Sequence, residues 1–229
     1  MDKSSIADRM KNNYENRTRV LLPRRTNTII RLDGKVFHTY TKNAQRPFDT
    51  GLMLAMQDTT KFLCKNIQGV RFAYTQSDEI SLWLTDWADT KTDAWFDGNI
   101  QKITSVSASY ATAYFNSIYK NYVGSKELAY FDSRVFTIPE IDEVFNYFIW
   151  RQQDATRNSI QMVGQSLYSQ KELHGKSINQ VQELIFQKGQ NWNDRCAYEK
   201  RGSVVKRING DWQVVEPPIF TQERIFLLN

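Results

Sequence analysis

Three acidic residues stand where apolar runs break. Asp33 follows Ile29-Ile30-Arg31-Leu32 and precedes Gly34, and Asp78-Glu79 lie 45 positions further on, after the alternating run Val70 to Thr75. Taken alone, Asp-Gly after a strand is an ordinary turn, and glycine there lets the backbone bend sharply or approach a ligand. Taken with a second carboxylate it is a metal motif. Carboxylates packed within a few ångströms raise each other's pKa, so such a cluster calls for a cation. Hard oxygen ligands suit Mg²⁺, which keeps several waters and binds through carboxylates and substrate phosphates. Two such ions roughly 3.5–4 Å apart clamp the attacking and leaving oxygens of a phosphoryl transfer. The reading depends on a fold that brings Asp33 to Asp78 and Glu79.

The elements that would position them can be read from periodicity. Ile6, Met10 and Tyr14 have helical spacing ahead of a first strand ending near Asp33. Asp49 or Thr50 caps a helix with Leu52, Ala55, Met56, Thr59 and Leu63 on one face. Gly69 opens the second strand, and Ile80, Leu82 and Leu84 alternate in a third, joined to it by a tight hairpin at Gln76 to Glu79. A long helix follows with Ile103, Val106, Tyr110, Ala113 and Ser117 inward, then a strand from Ala129 to Thr137. A helix started by Pro139 points Ile141, Val144, Phe145 and Phe148 inward. Ser177-Ile178-Asn179-Gln180 is a capping box, and Asn209-Gly210 joins a terminal hairpin.

The order strand, helix, strand, strand, helix, strand predicts an α+β, ferredoxin-like (βαββαβ) fold with a helical and β-hairpin C-terminal extension. The expected division is a unit over 1–152, including the N-terminal helix, and an extension over 153–229 packed on it. In that topology the crossover is right-handed, the first and second strands are parallel, and the third lies between them. Asp33, Asp78 and Glu79 then share one sheet edge.

Four ordered motifs carry a resemblance. Arg31-Leu32-Asp33-Gly34-Lys35-Val36-Phe37-His38, Gln76-Ser77-Asp78-Glu79, Phe131-Asp132-Ser133-Arg134 and Tyr147-Phe148-Ile149-Trp150-Arg151-Gln152-Gln153-Asp154 resemble the tRNA(His) guanylyltransferase family, and its guanylyltransferase-like (3′-5′ polymerase) branch in particular. The resemblance implies a polymerase-type palm that adds nucleotides at the 5′ end of tRNA. It implies that Asp33, the Gly34 carbonyl and Asp78 hold two Mg²⁺, with Glu79 an acidic neighbour important to catalysis. Lys35, Val36, Phe37 and His38, through their amides, and Ser77 would receive the triphosphate, and Arg46 would face phosphate. ATP, GTP or other nucleoside triphosphates would be substrates, and a homotetramer is expected. Where eukaryotic guanylyltransferases carry His-Ile-Asn-Asn-Leu-Tyr-Asn, this chain has Thr156-Arg157-Asn158-Ser159-Ile160-Gln161-Met162. That departure points to template-dependent 5′-end repair, with ATP activating a 5′-monophosphate. The alternatives are tRNA(His)-specific guanosine addition and, with no nucleic acid involved, a nucleotide cyclase, which a cyclic product from nucleotide alone would reveal.

The remaining composition sets limits. With 229 residues, 41% hydrophobic and 13% aromatic, there is ample core. A formal charge of +5 mildly favours an anionic partner. Arg151, Arg157, Asn158, Lys188 and Arg201 are the candidate RNA contacts, with Lys200, Lys206 and Arg207 on the same basic surface. Trp192 and Trp212 suit packing better than base stacking. No run approaches the ~20 apolar residues of a membrane span, and the start Met1 to Ser5 lacks a signal peptide's apolar segment, so a cytoplasmic protein is expected. Cys64 and Cys196 lack metal spacing and are expected as buried thiols.

Overall fold

The computed structural model describes residues 4–123 and 128–227, with the side chains of 120–123, 225 and 227 left aside. Residues 1–3, at the start expected to lack an apolar leader, lie outside the described residues. In chain order the elements are α1 (Ile6–Asn13), β1 (Asn27–Gly34), α2 (Phe37–Tyr40), α3 (Thr50–Asn66), β2 (Val70–Gln76), β3 (Glu79–Leu84), α4 (Ile100–Val123) and β4 (Phe131–Ile138). They continue with α5 (Ile141–Leu167), α6 (Gln170–Leu173), α7 (Ile178–Gln187), α8 (Ala197–Arg201), β5 (Ser203–Ile208) and β6 (Asp211–Val215).

All six strands form one sheet in the order β4-β1-β3-β2-β5-β6. Since β3 is antiparallel to both β1 and β2, those two run parallel with β3 between them, which is the ferredoxin-like core expected from the sequence. The terminal hairpin adds to the β2 edge through β5. The expected division at residue 152 falls inside α5, which runs unbroken from one segment into the other.

Both faces of the sheet are covered. Ile30, Leu32, Ile80 and Leu82 pack with α3 and α4, whereas Ile29, Phe72, Tyr74 and Trp83 pack with α5. This double cover explains why β3 is buried at every position although its apolar residues alternate. The distal half of α5 builds a smaller core with α6 and α7 from Ile160, Val163, Leu173, Val181 and Ile185.

The expected inner face of α4 needs correction. Its buried row is Ile103, Ser107, Ala111, Phe115 and Tyr119, one residue per turn, and Ala113 and Ser117 face solvent. The small residues Ser107 and Ala111 let the helix approach the sheet closely, and the Ser107 hydroxyl lies 2.8 Å from that of Ser133 on β4. Pro139 precedes the Glu140 cap of α5 instead of sitting in its first turn, and Ile141 is exposed. Cys64 is buried as expected but Cys196 is exposed, because it caps the short surface helix α8.

Candidate active site

The β1–β3 register sets Asp33 opposite Glu79, and the Gly34 N–H donates to the Asp78 carbonyl at 3.1 Å. Asp33, Gly34 and Asp78 therefore meet at one sheet edge, as the topology required. The turn does not come at Asp33-Gly34. β1 continues through Gly34, which pairs with Phe131, and the Lys35 N–H donates to the Tyr130 carbonyl at 2.8 Å. The chain reverses at Val36, a β-branched residue held at φ +55°, and then enters α2. Gly34 is needed for space: a Cβ there would lie 2.2 Å from the Phe37 ring. Ser77, in the adjoining hairpin, is also left-handed at φ +51°. Two strained residues on facing loops, each costing on the order of 1–3 kcal/mol, mark this edge as a site held in place by its surroundings.

Between the two loops lies a cavity of about 330 Å³ lined by Gly34, Val36, Phe37, His38, Ser77 and Asp78, among others. Of the expected triphosphate residues, Lys35 and Arg46 do not line it. The Lys35 amide is already bonded to Tyr130, which corrects the expectation that it is free for phosphate. Arg46 is exposed, ahead of the cis peptide to Pro47. The His38 ring Nε2 lies 3.1 Å from the Thr39 hydroxyl. Leu52 and Ser77 also line a second, more apolar cavity between α3 and α5, where Met53, Met56 and Met162 face Asn158 and Ser159.

The three carboxylates differ in kind. Asp78 is half-buried, and desolvation pushes its pKa above the ordinary carboxylate value; hydrogen bonds from its own backbone and from Ser77 oppose this, and the charges of Asp33 and Glu79 add to it. Glu79 is buried and fully engaged. Arg151 donates through Nε to one oxygen and through Nη2 to the other, both at 2.7 Å. Arg31 reaches the second oxygen at 2.9 Å and Ser81 the first at 3.4 Å. A carboxylate offers about four lone-pair sites, so Glu79 has none left for an ion. It instead fixes Arg31, whose Nη2 also reaches Asp33 at 3.3 Å.

The residues present fit Mg²⁺ in part of the expected way. Among the described residues no three acidic, His or Cys side chains converge on a common ion position. What remains is Asp33, the Gly34 carbonyl and Asp78, a sparse oxygen set of the sort Mg²⁺ completes with water and phosphate. Asp78 has no cationic partner among the described residues, and burial, with the charges of Asp33 and Glu79 added, raises its pKa.

The expected RNA contacts divide. Arg151 is only 4% exposed, and its guanidinium is spent on Glu79 and Asp154. It is therefore not a surface phosphate ligand, because a buried charge must keep its partners. Burial lowers the Arg151 pKa, but Glu79 outweighs that and leaves it above its usual value. Arg157 is exposed and pairs with Asp154, and Asn158 lines the second cavity. Lys188 ends α7 over the Tyr168 ring, and Arg201 is half-buried in α8. Trp192 donates to Ser159 and Trp212 is buried, so both serve packing. Periodicity gave no sign of the Arg31 bridge or of the exposed Trp150 indole beside it. Asp132, opposite Asp33 on β4, was visible only within its motif.

A ferredoxin-like palm with two carboxylates at its β1 and β2–β3 edge, beside a small polar cavity, is the arrangement of an enzyme that acts on nucleotide phosphates. The family described as Thg1, tRNA(His) guanylyltransferase, matches residues 7–139. This chain belongs to that family. It is 30% identical to the probable tRNA(His) guanylyltransferase of Dictyostelium discoideum over 77% of this chain and 73% of that protein. Among solved structures, a bacterial tRNA(His) guanylyltransferase (Thg1)-like protein in complex with ATP superimposes with a TM-score of 0.92 at 46% identity, covering 97% of each chain. Yeast tRNA(His) guanylyltransferase shares the fold, with a TM-score of 0.76 at 23% identity over 93% of this chain and 98% of that one.

Proposed function

We propose that this chain extends the 5′ end of tRNA in the 3′-to-5′ direction, choosing each nucleotide by pairing with the opposite acceptor strand. The observation that supports the reading is Gly34 and Asp78 at the rim of the cavity between the Val36 and Ser77 loops, with Asp33 next to Gly34 at the same sheet edge. Thr156 to Met162 stand in place of the guanylyltransferase His-Ile-Asn-Asn-Leu-Tyr-Asn run, which favours templated repair. The likeness to a bacterial Thg1-like protein in complex with ATP supports a nucleoside triphosphate as substrate. The match to the guanylyltransferase family keeps tRNA(His)-specific guanosine addition as the second reading.

Asp33, the Gly34 carbonyl and Asp78 would hold two Mg²⁺. Bound there, the metal supplies charge stabilisation on the phosphorus oxygens and positions the reacting groups. The 5′-phosphate oxygen attacks the α-phosphorus of ATP and pyrophosphate leaves. The 3′-hydroxyl of the incoming nucleotide then attacks the activated 5′-phosphorus and AMP leaves. The triphosphate lies along Val36 to His38 and Ser77, and its base enters the apolar cavity walled by Met53, Met56 and Met162. Glu79 keeps Arg31 against Asp33 and takes no part in ion binding. As for assembly, α1 buries none of its residues and leaves Ile6, Met10 and Tyr14 exposed, an apolar stripe suited to a homotetramer contact.

The test is incorporation on a tRNA lacking its first nucleotide, with the four nucleotides supplied separately and the opposing base varied. The added nucleotide should follow the opposing base. Guanosine regardless of that base, and only on tRNA(His), selects the second reading.

A further inference from the structure

On the α5 side of the carboxylates the surface is made of six ion pairs and one aromatic ring. Arg31 pairs with Asp33 and Glu79, Arg151 with Glu79 and Asp154, Arg157 with Asp154, and Arg134 with Asp132. Four guanidiniums are thus matched by four carboxylates, so this patch presents no excess positive charge to a phosphate chain. Trp150 stands among them, 51% exposed. The Arg151 guanidinium lies 4.4 Å from its ring centroid and Arg31 6.0 Å, while Tyr147 touches it edge-on at 6.0 Å. Its indole N–H has no hydrogen-bond partner among the described residues. The ring is therefore held from within by the buried Arg151 and the half-buried Arg31 and is open outward, and Arg31 links it to Asp33.

A charge-balanced face with one rigid, outward-facing aromatic ring does not recognise a phosphate chain; it recognises a flat π surface. Next to a site that lengthens an RNA 5′ end, the flat group in reach is the terminal base of that RNA. We infer that Trp150 is the stacking platform for the terminal nucleobase of the acceptor end, holding the 5′-phosphate in line with Asp33 and Asp78. The inference rests on the proposed RNA reaction. Stacking on an aromatic side chain is worth about 1–3 kcal/mol per base, or about 5- to 150-fold in affinity.

The test uses full-length protein with Trp150→Phe and Trp150→Leu, the second keeping an apolar cover over Arg151. The RNA is a tRNA lacking its first nucleotide with 2-aminopurine at its new 5′ terminus. Expected are quenching of the 2-aminopurine by the parent and by Trp150→Phe, and its loss in Trp150→Leu. The KM for RNA should rise about 5-fold or more in Trp150→Leu. Thermal stabilisation by ATP should persist in that variant, showing an intact fold. Equal quenching and KM in Trp150→Leu would overturn the inference. So would a fall in oligomer mass in that variant, which would mean that another copy covers the ring. A parent that binds no RNA would instead refute the RNA reaction, and this inference with it.

Discussion

Replacing Glu79 with glutamine should unfold this protein more easily while leaving its shape almost unchanged. The carboxylate is 4% exposed and holds Arg151 by two bonds of 2.7 Å and Arg31 at 2.9 Å. A glutamine side chain at this position would offer one acceptor oxygen and an amide that faces two cations. Removing one partner of a buried ion pair costs about 3–5 kcal/mol, because the other charge stays buried and uncompensated. For a chain of this size each kcal/mol moves Tm by about 2–4 °C, so Glu79→Gln should melt roughly 6 °C or more below the parent. Activity should fall as well, since Arg31 loses the anchor that holds it against Asp33. A double change, Glu79→Leu with Arg151→Met, should recover part of the lost stability, because the unpaired charge is gone. Thermal unfolding followed by circular dichroism measures both. A Tm for Glu79→Gln within about 1 °C of the parent would refute the assignment of Glu79 as a buried anchor.

Asp78→Asn should behave in the opposite way. Burial holds the Asp78 pKa above its usual value, so its charged form opposes folding increasingly as the pH rises from the ordinary carboxylate value through the raised one, and the opposition vanishes in acid. The variant should therefore melt higher than the parent at neutral pH, match it in acid, and lose activity on the order of a hundredfold or more. Mg²⁺ at about ten times its Kd should stabilise the parent by about 1.4 kcal/mol and Asp78→Asn much less, read by Tm against Mg²⁺ concentration. Gly34→Ala drives a methyl to 2.2 Å from the Phe37 ring. It should cost about 1–3 kcal/mol in urea unfolding and displace the Val36 loop, with a raised KM for nucleotide. Ile6→Glu with Met10→Glu should lower the mass seen by light scattering if α1 joins copies; an unchanged mass would count against that contact.

The route from sequence to site was short where local rules and topology agreed. Alternation in Val70 to Thr75 and Ile80 to Leu84, with a right-handed crossover, is enough to place Asp33 beside Asp78 and Glu79. Asp49 and Ser177 cap their helices as their types predict. The misreadings have physical causes. On α4 the buried row Ile103, Ser107, Ala111, Phe115 and Tyr119 has small residues in its middle, and Ser107 and Ala111 give too weak an apolar signal to mark the face that continues to Phe115. The turn at Val36 occupies a conformation its side chain disfavours, which no propensity would select. Arg151 looked like a surface cation because charge is usually solvated; only the three-dimensional partner, Glu79, buries it. Trp150 is marked in the sequence only by its motif, because an exposed aromatic ring leaves no periodic trace.

The direction of synthesis is the central claim, and two carboxylates on a palm do not decide it by themselves. The direct measurement is growth of a tRNA that lacks its first nucleotide, carries a 5′-triphosphate, and is labelled so that each end is read separately. Addition should occur at the 5′ end, with the nucleotide that pairs with the opposing base, and a 5′-monophosphate substrate should require ATP in addition. Extension confined to the 3′ end would contradict the account.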